Sequence, residues 1–178
     1  MSLLGPALDH LAYLLFAVAT HAAVGYALVV AFTDRPPRAG VVGAVLPDVD
    51  LLFPLAWAFP LNHRGLTHTL AFAAAVVALV AAARRPRWSA GAAALGLSSH
   101  LLVDSFTKSG VAWLYPLTTE RVGVAASIHS GWGAALLWGV VALGIVVGRR
   151  STDATESAGG AVEAEAQDAS ETPGTPRR

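Results

Sequence analysis

The 178-residue chain is 54% hydrophobic and only 13% charged, with a formal net charge of +0 and a mean hydropathy of +0.55. A soluble domain carries about a quarter charged residues, so this composition excludes water as the main solvent. The absence of cysteine removes disulfides, thiolate nucleophiles and Cys-rich zinc sites, and leaves imidazole and carboxylate as the strong metal ligands.

A bilayer crossing takes roughly 20 apolar residues, so the length suits one all-α domain of four or five spans and leaves no room for a separate soluble enzyme domain. The first apolar stretch runs from about Leu8 to Phe32. It stops at Thr33-Asp34-Arg35-Pro36-Pro37-Arg38, where two prolines and the charges forbid further helix. Met1-Ser2-Leu3-Leu4 lacks the basic start of a secretory signal, so this segment is expected to be retained. The second stretch, Ala39 to Pro60, is interrupted by Leu46-Pro47-Asp48-Val49-Asp50 and reads as a broken helix; irregular backbone at membrane depth survives only beside protein or a wet cavity. A third span is expected from about Leu66 to Ala83, a fourth from Trp88 to Phe106 and a fifth from Val124 to Val147. Alanine triplets at residues 73–75, 81–83 and 92–94 allow close helix packing. From Ser151 the chain has scarcely any large apolar side chain and holds half of the twelve acids. Residues 151–178 are therefore expected to form a disordered acidic tail behind a membrane domain at 1–150.

Short cytoplasmic loops are enriched in Lys and Arg. Arg35/Arg38, Arg84/Arg85/Arg87 and Arg149/Arg150 mark three loop ends, and five alternating spans put all three on one side. The expectation is a multi-pass cell-membrane protein with a cytoplasmic tail and an outer N-terminus. The same alternation sends residues 62–68, 99–107 and 127–129 towards the outer side.

Those segments hold most of the polar residues that an apolar chain must explain. His100 and Asp104, at i and i+4, share a helical face that Thr107 extends; the pattern suits two ligands of one metal, a ligand with its supporting carboxylate, or a local hydrogen bond. His63 and His68 flank Arg64-Gly65-Leu66-Thr67. On one helix they would point about 140° apart, so they meet only if His63 belongs to the preceding loop. Capping by Thr67 or Asn62 accounts for polarity there but not for two imidazoles. In an extended Pro47-Asp48-Val49-Asp50 both carboxylates would face one way; the other reading is a solvated turn, against which stand Leu46 and Leu51-Leu52-Phe53. His21 lies inside the first span among small neighbours. His10, beside Asp9, reads as interfacial, and so does His129, between Ser127 and Ser130.

Thr20-His21 with Gly25, Leu46-Pro47-Asp48-Val49-Asp50, His63-Arg64-Gly65-Leu66-Thr67-His68 and His100-Leu101-Leu102-Val103-Asp104-Ser105-Phe106-Thr107 together resemble the membrane-bound, predicted metal-dependent hydrolases of the YdjM type, also called DUF457. The resemblance runs from about Thr20 to Leu117 and takes in Gly110 and Leu114-Tyr115-Pro116-Leu117. Thr69 stands where a serine is usual, and the stretch before Thr20 is longer than expected. Neither departure touches a ligand. The resemblance implies metal ligands or their supports among these His and Asp residues, with a distant similarity to zinc-dependent phospholipase C. On it, His21, Asp48, His63, His68, His100 and Asp104 are the expected metal ligands, Asp50 a bridging ligand or general base, and Arg64 a group that steadies an anionic oxygen. The donor set exceeds one tetrahedral zinc with an open position, so a divalent metal, zinc first, is expected as two ions or as one with a base. The expected activity is hydrolysis of a phosphoester or lipid-like ester by metal-activated water, in a lipid bilayer and with no nucleic-acid partner. The alternative is a proton or metal-ion transporter built on the same cluster and the broken helix. A reporter fused after Arg150 is expected on the cytoplasmic side; its appearance outside would refute the orientation drawn from the basic loops.

Overall fold

The structure is a computed structural model that describes residues 5–83, 89–126, 128 and 131–150. The expected acidic tail, the basic loop at Arg84/Arg85/Arg87 and His129 lie outside the described residues. Five α-helices follow in order: α1 (Pro6–Phe32), α2 (Arg38–Val45), α3 (Leu70–Ala82), α4 (Ala90–Ser105) and α5 (Gly131–Arg150). Two 3-10 segments, Leu46–Leu52 and Leu66–His68, join α2 to the start of α3. No strand occurs among the described residues, and residues 111 and 122 form one isolated antiparallel bridge. The all-α expectation holds.

Two helices are long and apolar enough to cross a membrane, α1 over Leu8–Phe32 and α5 over Gly131–Arg150. Helices α2, α3 and α4 have 8, 13 and 16 residues, or about 12, 20 and 24 Å at 1.5 Å per residue, less than the roughly 30 Å of a hydrocarbon core. The three middle spans read from the sequence are thus shorter than expected, and each is cut for a local reason. Pro47 has no amide hydrogen to extend α2, and the chain tightens there into a 3-10 segment. Thr69 caps α3 by accepting from the Phe72 amide, and Ser89 caps α4 by accepting from the Ala92 amide. The fifth helix starts at Gly131 rather than Val124, because the Val124 and Ala126 amides instead donate to the Ser105 and Phe106 carbonyls at the end of α4.

Packing is closest where side chains are smallest. A Cβ added at Gly96 of α4 would stand 2.0 Å from the Gly40 carbonyl oxygen and 2.8 Å from the Ala44 amide nitrogen of α2, and one at Gly25 of α1 would meet the Gly40 oxygen at 2.7 Å. Of the alanine triplets, Ala92, Ala93 and Ala73 are buried, while Ala74, Ala75, Ala81, Ala82 and Ala83 face outward. The contacts also set directions. Thr20 meets Trp138 and Val30 lies against Gly148, so α1 and α5 run parallel. Val29 clusters with Ala92, and His21 reaches Asp104, so α1 and α4 run antiparallel.

The partition of residues is inverted with respect to a soluble protein. Thr20, His21, Asp48, Asp50, Thr67, His68, Thr69, Ser99, His100 and Asp104 are buried, whereas Leu15, Leu52, Leu55, Leu79, Leu117, Leu136, Val140 and Leu143 are exposed. Apolar patches of this extent are not tolerated in water; with lipid as the outer solvent they carry no penalty, and close packing of small residues holds the helices together. Gly96→Val is expected to lower stability by about 3 kcal/mol or more, since backbone atoms cannot yield to the new side chain, whereas Gly139→Ala, which meets nothing within 4 Å, should leave it within about 0.5 kcal/mol. Unfolding in detergent, followed by circular dichroism, checks both.

Candidate metal centre

Four short elements bring the scattered polar motifs to one place: the middle of α1 (His21), the first 3-10 segment (Asp48, Asp50), the loop and second 3-10 segment (His63, Arg64, His68), and the last turns of α4 (His100, Asp104). The far ends of the helices that carry the donors lie at a common distance from it. His21 is eleven residues before the end of α1, His100 ten after the start of α4 and Asp48 ten after the start of α2, each about 15–17 Å along a helix axis.

At the centre the Nε2 atoms of His68 and His100 stand 3.0 Å apart. Asp48 Oδ1 lies 3.6 Å from His68 Nε2 and 3.7 Å from His100 Nε2, and Asp104 Oδ2 lies 3.5 and 3.8 Å from the same two atoms. Both imidazoles are fully buried. Their far nitrogens settle the tautomers. His100 Nδ1 is 2.6 Å from the Ala44 carbonyl oxygen, which can only accept, so Nδ1 carries the hydrogen. His68 Nδ1 is 3.0 Å from the Thr67 hydroxyl oxygen, whose own hydrogen goes to Asp50 Oδ2, and 3.1 Å from that carboxylate oxygen, so both neighbours accept from an Nδ1 hydrogen. In the neutral rings the two Nε2 atoms are therefore both lone pairs, facing each other and two carboxylate oxygens. Such a set repels itself unless a cation stands within it.

The spacing suits a metal ion. Ligands at the 2.0–2.1 Å typical of zinc–nitrogen bonds sit about 3.3–3.4 Å from one another around a tetrahedron, and the separations here are 3.0–3.8 Å. Charge points the same way. Asp48, Asp50 and Asp104 against Arg64 leave a formal −2 with neutral imidazoles, the complement of one divalent ion. These residues could hold a metal, and the wider donor sets are Asp48, Asp50, His63 and His68 on one side and His21, His100 and Asp104 on the other.

Asp48 and Asp50 do not face one way, as an extended segment would require. In a 3-10 segment each residue turns about 120°, so the two carboxylates diverge and clasp His68 from opposite nitrogens. Asp48 faces the central gap. Both oxygens of Asp50 are engaged outside it: Oδ1 with His63 Nδ1 at 2.8 Å, and Oδ2 with the Thr67 hydroxyl at 2.7 Å, the Arg64 amide at 3.0 Å and His68 Nδ1. His63 stands behind Asp50 and edge-on to His68, with its side chain 39% exposed where that of Asp50 is 1% exposed. His21 stacks on His100, ring centroids 3.8 Å apart, and its Nε2 lies 3.4 Å from Asp104 Oδ1.

Arg64 donates from Nη2 to Asp104 Oδ1 at 3.0 Å and from Nη1 to the Thr107 hydroxyl, which in turn donates to the Asp104 carbonyl. The turn that aims it is unusual. Arg64 has a φ of 62°, in the left-handed region that non-glycine residues seldom occupy; the hydrogen bond its backbone N–H donates to Asp50 Oδ2 and the one its carbonyl accepts from the Arg121 side chain hold it there. Gly65 follows because a Cβ would stand 2.1 Å from the Pro60 oxygen.

Thr67, considered from sequence as a cap, instead joins Asp50, and Thr69 does the capping. The Ala44 carbonyl that orients His100 carried no sequence signal, since any residue supplies one. His10 is exposed on α1, eleven residues before His21, and takes no part.

Residues 16–162, which include every donor named above, match the YdjM inner membrane protein family. The chain belongs to that family. It is also 38% identical over 120 residues to the inner membrane protein YbcI of Escherichia coli (strain K12), an alignment that covers 58% of this chain and 69% of the relative. No solved structure matches. Together with the lipid-type surface of α1 and α5, the YdjM family match makes this a membrane protein in a bilayer setting. Asp50→Asn is expected to weaken metal binding 10–100-fold, the usual cost of losing a carboxylate that orients a ligand histidine, while His10→Ala leaves it unchanged. Metal content after dialysis against graded chelator measures both.

Proposed function

We propose that this chain is a membrane-embedded metal-dependent hydrolase that uses water to cleave a phosphoester or a lipid-like ester. The observation that carries the reading is the two buried imidazole Nε2 atoms 3.0 Å apart, with an oxygen of Asp48 and one of Asp104 within 3.8 Å of both. His68, His100, Asp48 and Asp104 would hold one divalent ion, zinc first, with His21 beside them; a bound ion supplies the Lewis acidity that acidifies water and polarises an ester oxygen.

The chain's own groups do the rest. Asp50 would orient His68 as a positioning carboxylate, its two oxygens also bonded to His63, the Arg64 amide and Thr67. The Ala44 carbonyl does the same for His100. Arg64 neutralises Asp104 and lines the adjoining cavity, where its guanidinium can meet an anionic oxygen. Half-exposed His63 borders that cavity too and is the group placed to exchange a proton with a leaving group.

The depth fits an amphiphilic substrate. With the arginine-bearing ends at one surface, 15–17 Å of helix brings the cluster near the middle of a roughly 30 Å hydrocarbon layer. In this arrangement α1 and α5 cross fully, and α2, α3 and α4 reach the midplane from the cytoplasmic side, where the turns between α2 and α3 bury Asp48, Asp50, Thr67 and His68 around the site. The chain directions alternate as a multi-pass topology requires, with a cytoplasmic tail.

Protein purified in detergent is expected to retain about one divalent ion per chain, and to hydrolyse at least one of a panel of phosphoesters and lipid esters. His100→Ala should lower the rate at least about 100-fold and chelation should abolish it. Bound metal without turnover on any ester, together with metal-ion or proton flux in proteoliposomes, would sink the hydrolase and establish the transporter.

A further inference from the structure

The metal cluster has a small opening, and its position selects what can reach it. A small cavity of about 30 Å³ adjoins His21, Asp48, Asp104, His63 and Arg64, two to three times the roughly 10–15 Å³ that holds one water. It has room for a few waters or a small polar head group and not for an acyl chain. The rest of any substrate must remain at the mouth.

One side of the mouth is largely apolar: it is formed by Leu14, Ala17 and Val18 of α1 and Leu51 of the 3-10 segment, with Tyr13 beside them. Beyond it, the N-terminal half of α1 presents Leu8, Leu11 and Leu15 outward, and the chain after Leu51 presents Leu52 and Leu55, all exposed. The rim is therefore continuous with the surface of a helix long and apolar enough to span the bilayer. On that side a fully hydrated ester would have to shed its water against leucine and valine, whereas half-exposed His63 marks the polar side of the same cavity. An amphiphile loses nothing there, because its chain exchanges one apolar surface for another while its head reaches Arg64.

We infer that the site is entered sideways from the bilayer, through a portal between the N-terminal half of α1 and the Leu51 turn, by a single-chain or diacyl amphiphile whose anionic head enters the cavity and whose tail stays on the Leu14–Val18 rim. This names the access route and substrate class of the hydrolase reading and rests on it for the word substrate.

The absence of cysteine makes the portal testable in the full chain. Single cysteines are placed at Ala17 and Val18 on the rim and at Leu15, which faces outward. The protein is reconstituted in phosphatidylcholine nanodiscs, and the rate of maleimide labelling is measured with dodecylphosphonate or methylphosphonate present. The portal predicts that dodecylphosphonate slows labelling at both rim positions at least ten-fold, that methylphosphonate does not, and that Leu15→Cys reacts at one rate throughout. Equal protection by both phosphonates, protection at Leu15→Cys as well, or none anywhere would overturn it. Metal content is read on the same samples: metal without rim protection removes the portal and keeps the metal centre, and rim protection without metal keeps the portal and removes the metal-dependent reading.

Discussion

Two histidine nitrogens held 3.0 Å apart, each with its hydrogen committed elsewhere, are the constraint on which the rest of the molecule depends. With both rings neutral and no proton or metal ion between them, that contact is repulsive, and two carboxylate oxygens beside it add to the repulsion in a medium of low dielectric. It is imposed by groups on the far side. Asp50 grips His68 from behind, and the Ala44 carbonyl grips His100. Both come from the region around Pro47, where α2 stops and the 3-10 segment begins. The break in the helix is thus what brings a carbonyl and two diverging carboxylates to the cluster.

The surrounding fold serves this arrangement. Buried polar residues are expensive in a membrane and persist where they pair with one another or with a bound ion. Here they are packed by the smallest side chains available, with α2 pressed so closely on α1 and α4 that Gly25, Gly40 and Gly96 have no space for a Cβ. Large apolar residues, which would form the core of a soluble domain, are turned outward. Arg64 is the one full cation in the cluster, and its left-handed backbone is held by two flanking contacts. Strain retained in that way is typical of a residue whose side chain must point in one direction.

Much of this was legible in the sequence, and the parts that were not have physical reasons. Composition gave the membrane setting, and the i, i+4 spacing of His100 and Asp104 gave the α4 face that meets the cluster. The convergence of His21 with residues some 80 positions away could be expected only through the likeness of the ordered motifs to the YdjM family. The geometry of Asp48 and Asp50 was read as extended and is 3-10; alternation cannot distinguish these, because the choice follows from the proline and the preceding helix. Helix lengths were overestimated for α2, α3 and α4, because apolar loops such as residues 53–61 look like helix to any count of hydrophobic residues. Backbone groups, above all the Ala44 carbonyl, leave no trace in a sequence at all.

Within the YdjM family match, the donor set gives a definite expectation for the chemistry of the centre. X-ray absorption at the edge of the metal that purifies with the full chain reads that set most directly. A shell of nitrogen and oxygen at about 2.0–2.1 Å, with the outer-shell scattering of two imidazoles, is the predicted result. A stoichiometric ion whose shell contains no imidazole, or protein that takes up no divalent ion at all, would contradict the account.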